Sequence, residues 1–157
     1  AATALASQQH WSHTRQFLAA VREHHKILAR TPENRVVQRL EAMLVMTTDE
    51  KSKGVTILEA ILKEEPMDGE VLLLLGDHHW QSKAYEEAEL CFERAQRIAD
   101  TEARACVARG RLHVSLLEYE QAIKHLERAQ TLTPSATLAD YLQEVRGAAA
   151  AAVAAGL

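Results

Sequence analysis

The stretch Glu70-Val71-Leu72-Leu73-Leu74-Leu75-Gly76-Asp77-His78-His79-Trp80, followed after four residues by Tyr85-Glu86-Glu87-Ala88-Glu89-Leu90-Cys91-Phe92-Glu93-Arg94-Ala95, decides how this chain is read. Both halves are built from good helix formers, and the gap between them is short and polar. Displaced by 34 residues, the pattern returns: Gly76 meets Gly110, Ala88 meets Ala122, Phe92 meets Leu126 and Ala95 meets Ala129. Upstream, Gly54 falls on the Ala88 column and Leu58 on the Phe92 column. Pro32, Pro66 and Pro134 share a fifth column, with Asp100 in the remaining slot. Five columns on one period mark an internal repeat.

The period has a physical cause. A pair of antiparallel helices cannot bury its apolar faces alone, so successive pairs must stack. Gly76 and Gly110 let the first helix of a pair approach the second, and Ala88 and Ala122 do the same from the other side. Leu75, Phe92 and Leu126 fill the space between. The proline column ends each second helix, because proline lacks an N–H and biases the preceding residue away from helix. Helices are predicted near 35–47, 52–64, 70–82, 85–98, 103–115 and 119–131, with one long terminal helix over 137–155. Residues 7–29 read either as a first helix pair or as one longer helix.

These residues resemble the tetratricopeptide repeat signature. The clearest unit is Leu72, Leu75-Gly76, His79, Ala88, Phe92 and Ala95; the next is Cys106, Gly110, His113, Ala122, Leu126, Ala129 and Pro134. The resemblance covers 69–136 best and 35–68 less well. Over 1–34, Ala20, Ile27 and Pro32 are in phase while His24 replaces a large apolar residue. Leu72 and Cys106 stand where the family has Trp, His79 and His113 where it has Tyr, and Arg109 where it has Leu. The resemblance implies an all-α, right-handed superhelical solenoid of antiparallel helix pairs. It would hold three to four repeats: 1–34 (a degenerate repeat or helix), 35–68, 69–102 and 103–136. Residues 137–157 would form a capping helix with an Ala-rich tail, all in one solenoid domain.

In such solenoids the first helices line a concave groove that holds an extended peptide or a helix. Carried over by column, the groove residues are Arg39, Leu40, Met43 and Met46, then Leu73, Leu74, Asp77 and Trp80, then Arg104, Val107, Arg111 and Val114. A subgroup of the family clamps a C-terminal carboxylate with Lys and Asn. The matching positions here hold Arg39, Met43, Leu74, Arg104 and Ala108, without the asparagines, so that ligand is not expected. Five apolar residues in a row, Val71–Leu75, cannot all lie on one helical face. Either some of them face the groove, or a neighbouring repeat or the terminal helix covers them. Glu70 shares a column with Arg104, and Asp77 with Arg111, which predicts two charge pairs between adjacent first helices or two hooks for a ligand.

Chemistry has little to stand on. The chain carries 157 residues, 47% apolar and 25% charged, with a net charge of −4, which argues against non-specific nucleic-acid or anionic-membrane binding. No run of about 18 apolar residues exists to span a membrane. His10 with His13, His24-His25 and His78-His79 invite a metal, yet no HExxH or Cys-x-x-Cys accompanies them. Phosphate-binding glycine loops and a G-x-S-x-G elbow are absent too. No enzyme activity and no cofactor are therefore expected. Cys91 and Cys106 read as reduced small hydrophobes. Glu86, Glu87, Glu89 and Glu93 read as a solvated face.

The expected function is a non-catalytic scaffold or adaptor whose partner is a protein or peptide. The first alternative is self-assembly, with the Gly147–Leu157 tail of one copy in the groove of another, giving a homo-oligomer. The second is a regulatory repeat segment of a larger enzyme or assembly complex. The chain begins without Met, and Ala4-Leu5-Ala6 has the small-x-small form of a signal-peptidase site. A cytoplasmic location is expected, with a periplasmic or exported one if a signal peptide has been removed.

Overall fold

The computed structural model describes residues 35–46 and 51–156. The expectations for 1–34, including the degenerate first repeat, lie outside the described residues. Among the described residues every regular element is an α-helix: α1 (Arg35–Met46), α2 (Lys51–Glu64), α3 (Gly69–Gln81), α4 (Tyr85–Gln96), α5 (Glu102–Ser115), α6 (Tyr119–Leu132) and α7 (Ala136–Ala155). Each expected helix is present, with ends moved by one or two residues. The chain divides after Glu64 into two compact units.

In the first unit α1 packs on α2. Gly54 is the reason the two approach closely: a Cβ there would lie 2.5 Å from Met46 Cγ and 3.0 Å from the Ala42 carbonyl oxygen. Ala42 is fully buried, as are Leu58 and Ile61.

In the second unit α3 packs on α4, α4 on α5, α5 on α6 and α6 on α7, while α3 and α5 also touch side by side. The glycine column works as predicted. A Cβ on Gly76 would run into the ring of Phe92, and one on Gly110 would lie 2.6 Å from Leu126 Cγ. Ala88, Phe92 and Ala95, and their counterparts Ala122, Leu126 and Ala129, are buried. Of the five apolar residues in α3, Val71, Leu72, Leu73 and Leu75 are buried and only Leu74 is half-exposed. Stacking between helix pairs thus covers most of that run.

Local chemistry sets the helix ends. Asp68 caps α3 by accepting the Val71 N–H at 3.1 Å. The Thr101 hydroxyl, buried between α4 and α5, donates to the Ala95 carbonyl at 2.8 Å and satisfies the end of α4. The turns from α3 to α4 and from α5 to α6 share one geometry. Lys83 (φ 61°) and Leu117 (φ 62°) are left-handed, and the next residue's N–H bonds back to the carbonyl of His79 or His113 at 2.9 Å. This is the 6→1 closure that glycine usually makes at a helix end. Here Lys and Leu make it one repeat period apart.

Candidate partner-binding cleft

Arg104, Val107 and Arg111 lie at i, i+3 and i+7 along α5 and share one stripe of that helix. Facing them across an opening are Leu138, Asp140, Tyr141 and Glu144 from the first turns of α7. Ala129, Thr133 and Ser135, from the end of α6 and the turn beyond it, close the base. Together they bound a cleft of about 710 Å³, with mostly apolar walls. It exists because α7 packs on α6, while its buried side chains Leu142 and Val145 join the Ala122–Leu126 core. Leu138 and Tyr141, one turn earlier on the same stripe, pack partly against that core and partly line the cleft.

Three expected groove residues, Arg104, Val107 and Arg111, therefore line this cleft. Val114 instead packs against the Ala122–Leu126–Leu142–Val145 core. On α3, Leu73 is 6% exposed and belongs to the core, Leu74 is half-exposed and Asp77 is exposed. Trp80 is half-buried and already engaged: its indole N–H donates to Ser115 Oγ at 3.2 Å, and Arg111 lies over its ring, 5.6 Å from the centroid. It ties α3 to α5 through a cation–π contact and a hydrogen bond. Arg39, Leu40, Met43 and Met46 lie in the first unit, each half-exposed.

The two expected charge pairs separate. Glu70 and Arg104 form an ion pair at 2.5 Å on the exposed edges of α3 and α5. Among the described residues no ion pair joins Asp77 to Arg111, whose guanidinium goes to Trp80. The protein packed beneath Asp77 raises its carboxyl above the usual value, against the opposing pull of Arg111 and Arg104. Burial likewise raises the Tyr141 phenol, opposed by Arg111. Asp140, Tyr141 and Glu144 went unnoticed in the sequence, where 137–155 reads as a plain cap. The one available signal was the Leu138–Tyr141–Leu142–Val145 stripe, wider than a single helix contact needs.

Behind the cleft the second unit contains a polar cluster where a solvated face was expected. Glu89 does not sit on a solvated face. Arg109, in the column where leucine was expected, reaches back from α5 to hold Glu89 Oε1 with Nε at 2.9 Å and with Nη2. Its Nη1 donates to Gln96 Oε1 at 2.6 Å. The arginine is long enough to draw a helix-face glutamate into the interface between pairs. His113 is 2.6 Å from Glu118 Oε2 through Nδ1, and its ring stacks on His125 with centroids 5.4 Å apart. His125 is 9% exposed, and burial, with Arg109 and His113 nearby, lowers its pKa to about 4. Cys91 and Cys106 are free thiols, and burial raises both. Among the described residues no His, Cys, Asp and Glu side chains gather as a metal site, and no helix is long and apolar enough to cross a membrane.

The repeated glycine and alanine contacts between paired helices agree with what sequence comparison finds. Two family models, both described as Tetratricopeptide repeat, match residues 46–103 and 103–135. The chain belongs to the tetratricopeptide repeat family. Tetratricopeptide repeats generally mediate protein–protein interaction and are typically non-catalytic. No curated protein matches the sequence. The boundary between the two matches, residue 103, falls in the first turn of α5, where a new helix pair begins.

Proposed function

We propose that this tetratricopeptide repeat protein is a non-catalytic scaffold that recruits a partner by taking a peptide or helix of it into the cleft between α5 and α7. The observation that carries this reading is the cleft itself: apolar side chains at its centre, charged ones at its edge, and a size that suits a few buried side chains. Asp77 on α3 lies close enough to Arg104 and Arg111 to feel their charge. Ala103→Trp tests the proposal. Ala103 lies on the α5 wall, half-exposed, so the indole fills the cleft without changing charge. Partner recovery in a pull-down is expected to collapse while helix content stays the same. Equal recovery by the variant and the native chain would sink the proposal.

A second reading, self-assembly, draws on a different surface. Leu117 is 69% exposed and Val153 78% exposed, beside a second cleft of about 660 Å³ bounded by Leu117–Gln121 and the α7 tail. Exposed apolar groups placed together favour association. Solution mass by light scattering over a concentration series, with and without residues 147–157, separates the two. Mass that grows with concentration and stops growing when the tail is removed supports self-assembly; constant mass supports the scaffold.

A further inference from the structure

We infer that the α5–α7 cleft selects a basic amphipathic segment, one or two apolar side chains flanked by Lys or Arg. This rests on the scaffold reading and adds the chemistry of the partner to it.

The charges around the cleft are unequally satisfied. Arg104 is paired with Glu70, and Arg111 lies over the ring of Trp80 with the Asp77 carboxylate in its field. On the opposite wall Asp140 and Glu144 are exposed, one helical turn apart. Among the described residues neither makes a hydrogen bond or an ion pair. They stand beside the apolar Leu138 and Tyr141, so a ligand that seats an apolar side chain brings its neighbours to these carboxylates. A cation arriving there meets two exposed carboxylates beside an apolar wall, an attraction that salt screens. An anionic segment would meet the same pair as repulsion, which rejects it. The wider field has the same sign. Residues 65–157 hold fifteen Asp and Glu against nine Lys and Arg, a net charge of −6. That field steers cationic partners toward the unit and raises their on-rate.

The test is a selection of random phage-displayed peptides on the native chain, counter-screened on Ala103→Trp to keep only cleft-dependent binders. Those binders are expected to carry Lys or Arg next to apolar anchors. The best of them should lose about tenfold or more in affinity for the Asp140→Lys/Glu144→Lys variant at low salt, and less at high salt. Asp140→Asn/Glu144→Gln should give a smaller loss in the same direction. Both positions are exposed, so helix content and melting temperature should hold. Neutral or acidic cleft-dependent binders, or an affinity indifferent to charge reversal, would overturn the basic-segment inference and leave the scaffold reading standing. A selection that yields no cleft-dependent binders would overturn both.

Discussion

Arg109 grips one oxygen of Glu89, with Nε 2.9 Å from Oε1, and leaves Oε2 buried with no hydrogen-bond partner among the described residues. The pair joins α5 to α4 with both side chains mostly covered. Removing one partner of such a pair costs more than the pair contributes, because the remaining charge stays desolvated. Arg109→Leu is therefore expected to destabilise the second unit by roughly 2–4 kcal/mol. Arg109→Leu with Glu89→Leu should recover most of that loss, since two apolar groups satisfy each other in the same space. Chemical denaturation of the three proteins checks it; a double variant as weak as the single one would show that the arginine acts by shape rather than by charge.

Acid should weaken the fold through His125. Its folded pKa of about 4 lies below the 6.5 of the unfolded chain, so the unfolded state binds more protons between these values. Stability is then fully present above pH 6.5 and falls as the pH drops toward 4, by up to roughly 3 kcal/mol from this residue. Arg109, His113, Lys124 and Glu89 all face the ring or lie near it. The contribution is isolated by comparing native chain and His125→Gln in denaturant melts at pH 7, 5.5 and 4.5. The two curves should converge as pH falls; a constant gap between them would remove His125 as the source.

Two glycines should respond in opposite directions. Gly76→Ala drives a methyl into the ring of Phe92 and is expected to cost roughly 1–3 kcal/mol. Gly147 lies inside α7 with nothing within 4 Å of its missing Cβ. Gly147→Ala is expected to add roughly 0.5–1 kcal/mol through helix propensity alone. Melting temperatures that move the same way in both variants would mean the Gly76 contact relaxes easily.

Leu117 combines a left-handed backbone with an exposed apolar side chain, both unfavourable for a monomer. Leu117→Gly relieves the first and removes the second, and is expected to raise stability by up to about 1 kcal/mol. The gain is limited because glycine adds freedom to the unfolded chain. Lys83→Gly, at the equivalent turn, should behave alike. If Leu117→Gly also abolishes concentration-dependent mass while Lys83→Gly does not, the leucine serves self-assembly.

The seven helices of the described residues and their pairing were legible in the chain because the information is local and periodic. A 34-residue spacing of Gly76, Ala88, Phe92 and Ala95 states which faces must meet, whatever lies around them. The shared columns also put Arg104, Val107 and Arg111 on one stripe and Glu70 beside Arg104. What only the tertiary structure decided was the fate of side chains with a choice of partner. Arg111 could reach Asp77 or Trp80, and the nearby indole took it. Glu89 could face water or Arg109, and the arginine's reach across the α4–α5 interface drew it in. The cleft itself depends on where α7 settles on α6, a packing angle set by Leu142 and Val145 against a core assembled from two other helices. Repeat periodicity encodes contacts that recur; α7 lies outside the 34-residue columns, so its geometry follows from packing alone.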